Sequence, residues 1–156
     1  MGMDVIGIKN KEVHFGANVW TWRPVHVMID YVNEKYSLDI DTTGFGFNDG
    51  KGVPSKEKCM ILASVIRKEL DSPEFKSASD SLYLAIGQKW KRYPSDIPLT
   101  EKEYKESNLE EYSGYLLNGP VVKPNGDQLV PAYSISKERL YSFCEFLDVC
   151  GGFQIY

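Results

Sequence analysis

Histidine is scarce in this sequence of 156 residues, which holds only His14 and His26. Cysteine is scarce too: Cys59, Cys144 and Cys150 are an odd number, with no C-x-x-C pair. These shortages argue against a secreted disulfide framework and against a cysteine-based zinc site. No G-x-S-x-G elbow and no H-E-x-x-H helix occurs, so the familiar hydrolase and metalloprotease signatures are missing. No apolar run is long enough for a membrane span or a signal peptide, and "MGMDVIGIKNKE" places Asp4 early. Gly2 follows Met1, but Ile6 stands where myristoylation needs Ser or Thr. A cytoplasmic protein is expected, with no membrane, no cofactor and no metal. Repeats, linkers and low-complexity tracts are also lacking, so residues 1–156 read as one domain.

Positive charge is not in excess. The net charge is −4, which disfavours a nucleic acid as partner. Eight Lys/Arg face six acids over residues 53–98, and Lys89, Lys91 and Arg92 cluster near the expected end of a helix. Cations there complement the helix dipole without any need of phosphate. What the chain has in quantity is aromatic side chains, at 13%: three Trp, ten Tyr and seven Phe. With 42% hydrophobic and 26% charged residues, this is the composition of a globular protein with a ring-rich core or a stacking surface.

The pattern along the chain predicts an α+β fold, about four helices packed on a small antiparallel sheet that includes the N- and C-terminal strands. "MDVIGI" reads as the opening strand and "HFGANVW" as a loop. Pro24 suits a first helical position, with Val25, Met28, Ile29, Val32 and Tyr36 as the buried stripe. Ser55 caps a second helix carrying Cys59, Leu62, Ala63, Ile66 and Leu70. Pro73 is read as opening a third, with Phe75, Leu82, Tyr83, Ile86 and Trp90 on one side, ending at Tyr93-Pro94. Thr100 and Glu103 form a T-x-x-E capping box for a short acidic helix. Asn125-Gly126 marks a hairpin within 121–130. Ser136 caps a last helix with Leu140, Phe143, Phe146, Leu147 and Cys150 inside; Gly151-Gly152 stops it, and "FQIY" closes as a strand.

Two stretches carry candidate function. The glycine-rich segment 39–52 fails as a calcium loop, because Gly50 replaces the bidentate Glu, and as a P-loop, because Gly52 replaces the Ser/Thr. "DIDTTG" resembles the nucleophile motif of haloacid-dehalogenase-like phosphatases but lacks the preceding hydrophobic strand. A phosphate cradle of another kind, using Asn48, Asp49 and Lys51, remains beside the plainer reading of loop geometry. In "NVWTWRP", an extended segment would point Trp20 and Trp22 to one side with Arg23 beside them, as a platform for a base or a partner's loop. The competing reading buries the rings as a bolt between core and helix, at least one of them. His26 and Asp30 lie four apart on one face with Asn33, either an exposed helix face or an orienting pair.

Four blocks, Met1-Gly2-Met3-Asp4-Val5-Ile6-Gly7, Asn18 to Pro24, Asn48-Asp49-Gly50 and Phe143 to Ile155, together resemble a group of small bacteriophage and prophage proteins. That group opens M-G-x-D-V-x-G, continues into N-V-W-x-W-R-P and ends F-x-x-F-L-x-x-C-G-G-F-x-I. The likeness covers both ends and about half the chain. This sequence departs from it at Ile6, where the group commonly has an aromatic, and in lacking the C-x-x-C pairs of some members. The resemblance implies a phage or mobile-element setting in a bacterial cytoplasm and brings no activity with it.

The leading expectation is therefore a non-enzymatic binding protein that occludes a bacterial host protein, in the manner of a counter-defence inhibitor. Trp20, Trp22 and Arg23 would anchor it, and the acids from Glu101 to Glu111 would steer it. An alternative is a small-ligand or nucleotide-signal sequestering protein using the loop 44–52. A second alternative is a small hydrolase acting through His26, Asp30 or Asp49. The letters specify no oligomeric state.

Overall fold

Strand β1 (Gly2–Gly7) turns Met3, Val5 and Gly7 inward and its alternate residues toward solvent. This computed structural model describes residues 2–76 and 79–156. The stretch read as a loop is instead a second strand, β2 (His14–Asn18), paired antiparallel with β1. Its one fully buried ring, Phe15, packs edge-on against Phe143 at 5.1 Å. A single buried position cannot announce a strand by alternation, and the pairing with β1 decides. At the other end of the chain, β10 (Phe153–Ile155) pairs with β1, Val5 opposite Ile155, and β3 (Gly52–Val53) closes the edge. The two chain ends thus share one sheet, as expected.

Helix α1 (Val19–Tyr36) begins five residues before Pro24, because Asn18 caps it, its side chain accepting from the Thr21 amide at 2.8 Å. Pro24 falls in the second turn, where its missing N–H leaves the Trp20 carbonyl without the usual helical donor. Trp22, Val25, Met28, Ile29 and Val32 form the buried stripe. Helix α2 (Lys56–Leu70) starts at the predicted cap, Ser55, which accepts from Lys58. The predicted third helix is only a single turn, α3 (Pro73–Lys76), and its supposed apolar face belongs to two strands, β4 (Ser81–Leu84) and β5 (Trp90–Arg92). Leu82 to Ala85 are buried consecutively, so they show no strand period and fit a helical spacing equally well. Gly87, at a φ of +51°, breaks any helix there. Lys89, Lys91 and Arg92 are accordingly not at a helix end: Lys89 lies in a turn and the other two on β5.

Next come α4 (Glu101–Glu106), with the predicted Thr100/Glu103 capping box, and a 3-10 turn over Leu109–Tyr112. Short strands β6 (Leu116–Leu117) and β7 (Val121–Val122) follow, then β8 (Gln128–Pro131) and β9 (Tyr133–Ser136). Gly126, at a φ of +91°, makes the β7–β8 hairpin turn. The strands form two further antiparallel sheets, β6-β4-β9 and β5-β8-β7. Ser136 then caps α5 (Lys137–Val149), which Gly151 and Gly152 turn into β10 at φ of +67° and +104°. The fold is α+β, and the described residues form three small sheets rather than one.

Most buried side chains belong to one core between α1, α2, α5 and the first sheet, including the free cysteines 59, 144 and 150. Ala85, Trp90, Tyr104, Leu109 and Leu129 form a second, smaller core under α4 and the β5-β8-β7 sheet. No described helix is long and apolar enough to cross a membrane.

Candidate functional site

A helix turns about 100° per residue, so Trp20 and Trp22 point about 200° apart and cannot share a face. This corrects the extended geometry expected of "NVWTWRP". Trp22 is 1% exposed; its indole N–H donates to the Phe45 carbonyl at 2.6 Å, and its ring meets Phe143 edge-on at 5.9 Å. Trp20 is 45% exposed and stacks on Tyr133 of β9, the centroids 4.8 Å apart and the planes 11° from parallel. Arg23 lies one turn on, its guanidinium carbon 5.3 Å from the Trp20 centroid. The Lys89 ammonium is 5.3 Å from Trp20 and 5.6 Å from Tyr133, distances that place it at the flank of the stack. Among the described residues neither Arg23 nor Lys89 pairs with a carboxylate. The result is an aromatic platform with two cations beside it that pair with no described carboxylate.

The platform sits at one end of a longer surface. Trp20, Arg23, Val27, Tyr31 and Glu34 recur at helical spacing along the outer side of α1, a stripe of ~21 Å. Beneath it lies the β6-β4-β9 sheet, in which Leu84 is opposite both Tyr133 and Leu116. Trp20 covers the Tyr133 end of that row. At the Leu116 end, Val27, Tyr31 and Glu34 border a groove with Tyr115 and Phe75. Sequence reading missed Tyr133 and Tyr115, because only the sheet brings residues so distant in the chain against α1.

The glycine-rich loop stands elsewhere. It reaches α1 through Trp22 and through Phe45, whose ring is 5.6 Å from His26, on the other side of the helix from Trp20. Phe45 is fully buried and plugs the core. A phosphate cradle needs free amides, and here those of Phe45, Phe47 and Gly50 donate to the carbonyls of Thr42, Gly44 and Ile155. The Lys51 amide faces Asp49 Oδ1 at 3.4 Å, and the Lys51 stem closes on Gly44, where an added Cβ would meet it at 2.7 Å. Asn48, Asp49 and Lys51 are exposed on this loop, apart from Trp20 and Arg23. Asn33 is also committed, bonding both polar groups of the Ile40 backbone at 2.8 and 3.1 Å.

His26 Nε2 lies 3.3 Å from Asp30 Oδ2. Burial holds the imidazole below its ordinary pKa against the opposing pull of Asp30. The other candidate for catalysis, Asp49, accepts from the Lys51 amide on the glycine-rich loop. Among the thiols, burial raises Cys144 to about 12, and a hydrogen bond with Cys150 together with burial raises Cys59 further. The hydrogen bond with Cys59 pulls the third thiol, Cys150, down to about 7, but all three are fully buried, and buried cysteines are inert. Among the described residues no three His, Cys, Asp or Glu side chains are grouped to hold a metal ion.

No protein-family profile matches the chain, and the comparisons with curated proteins and with solved structures gave no significant match.

Proposed function

We propose that the protein is a non-enzymatic accessory protein of a phage or prophage that docks on a protein of its bacterial host and occludes it. The observation that carries this reading is the Trp20–Tyr133 stack with Arg23 and Lys89 at its edge. Trp, Tyr and Arg are the residues most enriched among interface hot spots. Tyr133, itself buried, already holds Trp20 in place, so little rotamer freedom is lost on docking. Arg23 and Lys89 would be met by carboxylates or carbonyls at the centre of the partner's patch. The net charge of −4 favours a partner that is basic overall.

Of the predicted steering acids, Glu101, Glu103 and Glu106 pair with Lys105, Arg92 and Lys102. Glu110 and Glu111 pair with no cation among the described residues, so steering rests on them. The resemblance of both chain ends to phage proteins supplies the setting. Sequestering a nucleotide in the loop 44–52 would have to do without the amides of Phe45, Phe47 and Gly50, which donate to the carbonyls of Thr42, Gly44 and Ile155. Hydrolysis would need a third group beside His26 and Asp30. Docking needs neither.

The test is native mass spectrometry of the protein purified gently from bacterial lysate, beside its Trp20→Ala variant. The expected result is a stoichiometric protein companion on the wild type that the variant loses. A companion kept by Trp20→Ala, or a bare wild-type chain, would overturn the proposal.

A further inference from the structure

Beyond the Trp20 stack, the outer face of α1 changes sign. Asp30 and Glu34 stand one turn apart beside Tyr31, and with Phe75 and Tyr115 they border a groove of about 560 Å³. That volume falls among ordinary ligand sites, roughly 300–1,000 Å³. Tyr31 meets Phe75 edge-on at 6.4 Å, and Tyr115 is 60% exposed. No cation is among the described lining side chains. Lys35 lies 5.6 Å from the Tyr31 ring, but its charge is held by Glu69 at 2.7 Å. Glu34 has no ion-pair partner among the described residues, and Asp30 faces His26 alone, at 3.3 Å. Gly114, at a φ of +83°, has open space where a Cβ would stand, so an extended backbone can approach closely.

Ring faces and carboxylates attract the same kind of ligand. A guanidinium stacks on tyrosine and donates paired hydrogen bonds to a carboxylate, which an ammonium does less well. We propose that this groove is a binding site for an arginine side chain presented by a basic peptide segment. It is a second site on α1, and it does not depend on docking through Trp20.

The experiment titrates the full chain with a fluorescent peptide of alternating Arg and Gly, and with the same peptide carrying uncharged citrulline for Arg. Binding to the arginine peptide is expected to be at least tenfold tighter. Glu34→Gln and Tyr115→Ala should each weaken it about tenfold, while Glu110→Lys and Trp20→Ala change it less than threefold. Equal binding of the citrulline peptide would overturn the proposal. So would equal weakening by Glu110→Lys, which would reduce the attraction to diffuse charge, or loss on Trp20→Ala, which would move the peptide to the other end of α1. Arginine-peptide binding that persists when no host companion is found would sink the docking reading alone.

Discussion

Trp20 and Trp22 are separated by one threonine and meet opposite surroundings. Trp22 fills the core and bonds the Phe45 carbonyl, whereas Trp20 rests on Tyr133 with its other side near solvent. Trp22→Ala should cost about 3–5 kcal/mol, as large-to-small changes of buried rings do. Trp20→Ala should cost about 1 kcal/mol or less, the worth of a stacked pair at a surface. Urea unfolding of the two variants checks this, and equal losses would contradict the division of roles. The letters identified both rings as candidates without separating them. Separation needs the phase of the helix, and Pro24 suggests a start five residues late. Asn18, whose side chain sets the true start, was the signal within the same seven residues.

At the scale of elements, one carboxylate ties α1 to α2. Glu69 of α2 is 2% exposed, accepts from the Tyr36 hydroxyl at 2.7 Å and pairs with Lys35 at 2.7 Å. Burial pushes its pKa up, but Lys35 and Tyr36 outweigh burial and hold it below the ordinary 4.5. The folded pKa therefore lies under the unfolded one. The contribution is complete above the unfolded value and is lost as the pH falls through the folded value. Glu69→Ala should lower stability by roughly 1–3 kcal/mol at pH 7. Its deficit against the wild type should shrink below pH 4 in denaturant titrations, and a deficit constant with pH would count against the tie. Nothing in the sequence singled out Glu69, since a Glu within a helical stripe reads as exposed. The caps at Ser55, Thr100 and Ser136 were legible because capping is chemistry within four residues. Strand β4 was not legible, because its partner β9 lies far along the chain and both its faces are covered.

Across the whole molecule, charge and rings are distributed with a direction. The outer face of α1 runs from Trp20, Arg23 and the neighbouring Lys89 to Asp30, Tyr31 and Glu34, cationic at one end and anionic at the other. Residues 94–130 wrap the smaller core. There Arg92 clamps Glu103 of α4 and, at 3.3 Å, Asp127 of the hairpin. This region leaves Glu110 and Glu111 outward, while the glycine-rich loop faces the opposite side of α1 and is sealed by Phe45. A partner that docks through Trp20 should therefore touch position 23 and not position 49. The most direct measurement places a photo-crosslinking amino acid at Arg23, or at Asp49, in the protein expressed in bacterial cells. The account predicts one discrete host protein joined at position 23 and none at position 49. No crosslink at 23, or the same adduct from both positions, would contradict it.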